Sequence, residues 1–304
     1  MIAKTNGVVE VAGLSRRFGR TQALDGVNLE VTRGAVFGLV GENGAGKTTL
    51  IKHLLGLFKA QTGTVRVLGQ NPVREPVGVL SRVGYLSEDR DMPDWMSTGE
   101  MLRYLQAFYP SWDDGFADDL RRQFDLDPRA RIKTLSQGQR ARLGLLAALA
   151  YRPEVLILDE PSTGLDPIVR REILAAIIRT IAEEGRTVLF SSHLLDEVER
   201  VSDHVALIDR GRIVLCAPLD AIKSAHHRVT LRFDEPLAAP PALPDSSRWE
   251  GFGREWTAVC RGPIEELQGR AAGMGASIVE EHIPSLDDIF VARVGSRETV
   301  AVEE

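Results

Sequence analysis

Nine consecutive residues, Gly41-Glu42-Asn43-Gly44-Ala45-Gly46-Lys47-Thr48-Thr49, place three glycines, a lysine and two adjacent hydroxyls in the spacing G-x-x-x-x-G-K-[ST]. The chemistry this spacing suits is polyphosphate binding. A glycine-rich turn lets successive backbone N–H groups converge on an anion, and a helix starting there adds the positive end of its dipole. Lys47 then contributes a point charge for the β and γ phosphates, and Thr48 a hydroxyl for Mg²⁺. The flanks supply what such a turn needs. Ala35-Val36-Phe37-Gly38-Leu39-Val40 reads as a short apolar strand, and Leu50-Ile51-Lys52-His53-Leu54-Leu55 continues with helical spacing.

Two further clusters carry chemistry. Val155–Leu158 is a continuous apolar run, expected of a strand covered on both faces, and it ends in Asp159-Glu160. An acid at the carboxyl edge of a sheet, beside a phosphate loop, is placed to hold Mg²⁺; Glu160 next to it can polarise an attacking water. In Leu135-Ser136-Gln137-Gly138-Gln139, Ser136 and Gln139 form an S-x-x-Q capping box at the start of a helix over 140–150. A cap alone leaves Gly138 unexplained, because glycine in a first turn costs about 1 kcal/mol against alanine. Close approach of another group to the backbone explains it, and a phosphate at a helix N-terminus is such a group.

The elements that must position these residues alternate. Strands are expected at 8–11, 27–31, 64–68, 82–86, 155–158, 187–190 and 205–209, with a turn-rich connection at Gly19–Gly26. From Thr98 to about Phe124 the pattern is helical, with Met101, Leu102, Leu105 and Phe108 on the apolar side, and Tyr109-Pro110-Ser111-Trp112-Asp113 interrupts it. Asp166-Pro167 is an N-cap followed by proline in the first helical position. That helix is expected to bury Ile173, Leu174, Ile177, Ile178 and Ile181 and to stop at Gly185. Such alternation implies an α/β sheet with a helical insertion. Near residue 223 the composition shifts. A proline-rich stretch, Asp234–Pro244, lies among strands at 228–233, 257–260 and 276–281 and helical pieces at 264–272 and 286–294, which together make a small α+β module.

Bulk properties set limits. The 304 residues are 43% hydrophobic and 26% charged with a net charge of −6, an ordinary soluble composition with no global basic field for nucleic acid. No apolar run approaches the ~18 residues that span a bilayer. Met1–Asn6 has no apolar signal-peptide core. The two cysteines, Cys216 and Cys260, are too few for a disulfide framework, fit a reducing cytoplasm, and are expected as small buried hydrophobes.

The order and spacing of these motifs over residues 1 to about 222 resemble the nucleotide-binding subunit of ATP-binding cassette (ABC) transporters. Ser162-Thr163-Gly164-Leu165-Asp166 and Ser191-Ser192-His193 add to the match. The resemblance implies an α/β P-loop NTPase core with an N-terminal antiparallel β subdomain and a helical insertion at about 89–150. That ATPase domain would cover 1–222, and 223–304 would be the small C-terminal α+β accessory domain. It implies ATP and Mg²⁺ as ligands: Gly41–Thr49 and Glu88 around ATP, Thr48, Asp159 and Glu88 toward the metal, and Glu160, His193 and Lys47 as catalytic residues. Phe18, in Arg16-Arg17-Phe18-Gly19, falls where the family stacks an aromatic on adenine; phenylalanine keeps the ring face. Ser136, Gln137, Gly138 and Gln139 would act in trans on the γ-phosphate held by a second subunit's Lys47, with Ser162, Gly164 and Asp166 along the dimer seam.

This sequence departs from the family pattern twice. Gln137 replaces the commoner first glycine of the signature, leaving Ser136 and Gly138 in place. Glu88, closing Gly84-Tyr85-Leu86-Ser87-Glu88, stands where glutamine is usual and adds negative charge beside phosphates, so either Mg²⁺ screens it or its pKa rises. The resemblance further implies a homodimer sandwiching two ATPs and a permease on a separate chain, with no nucleic acid, and a cytoplasmic location peripheral to the inner face of the membrane. Residues 90–128 are where the family meets its permease; Trp95, Tyr109 and Trp112 are candidates to face it. The ending Pro284-Ser285-Leu286-Asp287-Asp288-Ile289-Phe290 resembles the tail of bacterial drug, sodium and antibiotic exporters. The alternative is a soluble mechanical cassette acting on ribosome or nucleic acid, against which stand a single domain and an acidic chain. A guanine-reading N-K-x-D is absent from the sequence, which disfavours a GTPase.

Overall fold

The computed structural model describes residues 7–295, with all side chains in that span except those of 177, 179–184 and 293–295. Two compact units result, one up to Cys216 and one from Ala217 onward.

The first unit holds two sheets. A three-stranded antiparallel sheet has the order Thr21–Thr32, Gly7–Phe18, Thr62–Val67. The expected turn region Gly19–Gly26 is much shorter than its composition suggests. Only Gly19 and Arg20 turn, Phe18 pairs with Thr21, and Gly26 is absorbed within the strand, where the pairing register is irregular. The second sheet has six strands in the order Val83–Leu86, Val155–Asp159, Thr187–Ser192, Val36–Val40, His204–Asp209, Arg212–Pro218. The first five are parallel. Val36–Val40, Val155–Asp159 and Thr187–Ser192 are buried along their whole length, which is why their sequences run apolar without alternation.

Parallel pairing settles where chemistry gathers. The segments beyond Leu86, Asp159, Ser192 and Val40 all leave the same edge of the sheet from adjacent strands. Residues far apart in sequence are thereby brought to one place.

The helical insertion contains Thr98–Gln106, Asp114–Gln123 and Gln137–Leu149. Each begins with a side-chain cap from Ser97, Asp113 and Ser136 respectively. Met101 is buried as expected, but Phe108 is 63% exposed, because the helix ends at Gln106 and its apolar spacing runs past the last turn. Asp166 caps Pro167–Glu184 as read, accepting from Ile168 N at 2.9 Å and Val169 N at 3.1 Å, and Gly185 ends it in the left-handed region with φ 61°. Ile173 and Leu174 are buried, whereas Ile178 is 45% exposed; the side chains of Ile177 and Ile181 lie outside those described.

The second unit is a three-stranded antiparallel sheet, Ser246–Arg261, His226–Leu237, Ala276–His282, with helices Ile264–Gly273 and Leu286–Gly295. Val229, Leu231, Trp256, Cys260 and Leu267 form its core. Cys260 is buried as expected. Cys216 is exposed, since Arg212–Pro218 is the edge strand of its sheet. No helix among the described residues is long and apolar enough to cross a membrane.

Candidate functional site

The helix Lys47–Leu54 starts at Gly46 with no side-chain cap, so its first-turn amides have no competing acceptor from the chain's own side chains. Gly46 sits at φ 112°, and a Cβ there would lie 2.6 Å from the Ala23 carbonyl oxygen. Only glycine lets the loop press against the strand Thr21–Thr32 in this way. The result is a cradle of free amides at a positive helix end, which fits polyphosphate.

Above it lies a cavity of about 360 Å³ lined by Glu42, Asn43, Gly44, Gly46–Thr49, Glu88, Glu160 and, unforeseen, Thr21, Gln22 and Ala23. Gly41 and Ala45 are buried beneath it. Lys47 is almost fully buried; its Nζ donates to the carbonyls of Gly41 (2.6 Å) and Glu42 (3.2 Å) and lies 3.0 Å from Glu160 Oε1. That carboxylate oxygen is buried beside the ammonium.

One hydroxyl touches both residues of the acid pair. Ser191 Oγ donates to Asp159 Oδ1 at 2.6 Å and accepts from Glu160 N at 3.0 Å. Ser191 was legible in the sequence only as part of a matched segment, and nothing in its type announces this role. Glu160 adopts φ 48°, a left-handed backbone rare outside glycine, which turns its carboxylate from the strand end into the cavity. Its Oε2 accepts from Thr163 Oγ1 at 3.0 Å and lies 2.7 Å from His193 Nδ1. Burial pushes the Glu160 carboxyl up, but the ammonium of Lys47 and the imidazole of His193 outweigh it and hold it below the usual carboxylate range. Glu160 is therefore ionised, as a group that polarises water must be. For Asp159, burial dominates and raises the carboxyl despite hydrogen bonds from Ser191 and Thr48. Glu88 is raised as well, by desolvation first and then by the charges of Glu160, Asp159 and Asp89, with Lys47 opposing. Its carboxylate stands where the resemblance expects a neutral amide, and its neighbours push it toward neutrality.

Among the described residues no cluster of three or more His, Cys, Asp or Glu side chains forms a metal cage. Thr48, Asp159 and Glu88 offer oxygen alone, the donor type of a Mg²⁺ that shares phosphate oxygens and water instead of sitting in an all-protein cage.

Other expected residues lie apart from the cavity. Phe18 is 40% exposed; the Arg16 guanidinium lies over its ring at 4.6 Å and Phe58 meets it edge-on at 5.5 Å. Its strand partner Thr21 does line the cavity. Ser136 forms the capping box with Gln139, the hydroxyl accepting from Gln139 N (3.2 Å) while Gln139 Oε1 accepts from Ser136 N (3.0 Å). Its O–H hydrogen is left to donate forward of the helix. The close approach that Gly138 demands comes from Val169, whose Cγ2 would lie 3.0 Å from a Cβ at 138. None of Ser136–Gln139 lines the cavity around Lys47. Gly164 and Asp166 are exposed, while Ser162 is buried and hydrogen-bonded to Glu197.

Residues 24–163 match the ABC transporter family. The daunorubicin resistance ATP-binding protein DrrA3 of Streptomyces coeruleorubidus is 33% identical over 308 residues, covering 94% of this chain and 96% of its own. A solved ATP-binding subunit of an ABC transporter superposes with a TM-score of 0.66 at 28% identity, over 71% of this chain and 92% of that one. A dimeric ATP-binding cassette in a post-hydrolysis state with ADP and Pi superposes with a TM-score of 0.62 over 69% of this chain and 98% of that one; at 20% identity the likeness is one of fold. Likeness of 33% sustained across nearly the full length of both chains places this protein in the ABC transporter family, as an ATP-binding, ATP-hydrolysing subunit.

Proposed function

We propose that this chain powers an exporter, working through a separate membrane permease by ATP-driven closure of two copies. One observation carries the reading: the cavity that holds Lys47, Thr48, Glu88 and Glu160 contains none of the serine-capped helix end at Ser136–Gln139. A helix N-terminus with a hydroxyl free to donate suits the γ-phosphate of a facing copy, and two such sites close isologously. Exposed Gly164 and Asp166 are suited to that seam.

In this reading the phosphate-loop amides and Lys47 bind the triphosphate, and Phe18 stacks on adenine with the ring face that Arg16 leaves open. Thr48, Asp159 and Glu88 would hold Mg²⁺, which when bound neutralises charge on the phosphates. Glu160 polarises the attacking water, and His193 fixes one oxygen of its carboxylate. Closure excludes bulk water, and loss of phosphate reopens the pair, giving a mechanical stroke.

The helical insertion offers the permease an aromatic surface. Trp95 is 70% exposed, and Tyr104 and Phe108 stack edge-to-face at 4.9 Å while both face solvent. Isolated surface aromatics are ordinary, but three on one insertion fit a partner. Of the residues expected there, Trp95 is exposed, Tyr109 stacks on Tyr151 at 3.8 Å and Trp112 is half-buried. The DrrA3 likeness and the exporter-like tail favour a drug or antibiotic as cargo, and a site on the inner face of the cell membrane. Affinity purification from native membranes, with mass spectrometry, tests this. A multi-span protein should co-purify, and the Tyr104→Ser/Phe108→Ser double variant should lose it while keeping the ATPase rate of the isolated subunit. Recovery of ribosomal proteins alone would contradict the reading.

A further inference from the structure

The three residues after the acid pair are held by Arg90 and Glu197, which the catalytic reading does not use, and by Glu160, which it does. Arg90 is 5% exposed, and its Nη2 donates to the carbonyls of Pro161 at 3.1 Å and Thr163 at 2.7 Å. Between these carbonyls the Ser162 hydroxyl, fully buried, donates to Glu197 Oε2. Glu197 is 1% exposed; Ser192 Oγ approaches the same oxygen at 3.5 Å, and its other oxygen lies 3.1 Å from Arg170 Nε. Thr163 completes the set through its hydroxyl bond to Glu160.

Two buried charges are an expensive way to fix a loop. Apolar residues of similar volume often stabilise as well or better, so retained buried charges call for a role in specifying a state or switching between states. Their locations suggest which. Arg90 follows Glu88 by two residues and holds a left-handed backbone, φ 50°. Glu197 lies one turn into the helix Leu195–Val201 that follows His193. Segment 161–163 is therefore tied to the Glu88 segment by its carbonyls, to the His193 segment by its serine, and to Glu160 by its threonine.

We propose that Arg90 and Glu197 are positioning residues that clamp Pro161–Thr163 from opposite sides, so that movement of this segment reaches Glu160 through Thr163 and His193 through Ser192. The inference rests on the reading above, in which 162–166 lie at the seam between copies. It adds which two buried charges hold that segment against the hydrolytic residues.

The test uses the full-length protein. Arg90→Met and Glu197→Gln should each lower kcat about tenfold while ATP affinity, measured with a fluorescent ATP analogue in the Glu160→Gln background, stays within about threefold. The Hill coefficient for ATP should fall toward unity. Arg90→Lys should recover part of the loss, because an ammonium reaches one carbonyl well and two poorly. Ser162→Ala removes one hydroxyl and leaves both charges, so it reports even if a charge variant misfolds. It should lower kcat too, and Ser162→Ala/Glu197→Gln should be no worse than Glu197→Gln alone. Unchanged kcat in Ser162→Ala and in the folded charge variants overturns the clamp, as does affinity falling in step with kcat, or fully additive losses. If Glu160→Gln with ATP dimerises while these variants hydrolyse normally, the clamp alone fails. If Glu160→Gln stays monomeric, the dimer reading fails and takes the clamp with it.

Discussion

Glu88 is the residue at which local electrostatics and expected chemistry pull apart. It lines the phosphate cavity, and its carboxyl is raised by burial and by three neighbouring acids. A neutral amide of the same shape removes the repulsion and keeps an oxygen for metal or water. Glu88→Gln should therefore keep or raise the steady-state ATPase rate, and total loss of turnover would mean that the carboxylate itself is needed. At this scale the sequence was informative about types and poor about partners. Lys47, Asp159 and Glu160 were legible because a phosphate loop and an acid-ended strand constrain each other. Ser191 and Thr163 were not, since a serine or threonine at a strand end or loop carries no mark of which acid it will bond. That information lies in the strand order, which a single sequence does not display.

At the scale of elements, caps and buried strands were the most legible features. Ser136, Asp166 and the run Val155–Leu158 behave as their chemistry dictates, because each is decided within a few residues. Boundaries decided by tertiary contacts were less so. The strand Thr21–Thr32 runs through Gly26, which read as part of a turn, since pairing with Gly7–Phe18 outweighs local preference. The apolar stripe of Pro167–Glu184 was drawn too wide at Ile178. This makes a paired prediction. Ile173→Ala, at a fully buried site, should cost about 2–5 kcal/mol of unfolding free energy in denaturant titration. Ile178→Ala on the same helix, 45% exposed, should change it by less than about 1 kcal/mol. Equal losses at both sites would mean that Ile178 is covered in the native protein.

At the scale of the whole molecule, the parallel sheet collects the phosphate loop, the Glu88 segment, the acid pair and His193 along one edge, and leaves the Ser136 helix end out of that cavity. On the proposed reading, one copy would bind ATP without a complete hydrolytic site and pairing would supply the missing part. Sedimentation velocity of the Glu160→Gln protein with Mg²⁺ and ATP tests this most directly. The protein should be a monomer without nucleotide and a stable dimer with ATP, and the dimer should be lost when Ser136→Glu sets a carboxylate against the γ-phosphate. A Glu160→Gln protein that stays monomeric at saturating ATP, or a dimer indifferent to Ser136→Glu, would contradict it.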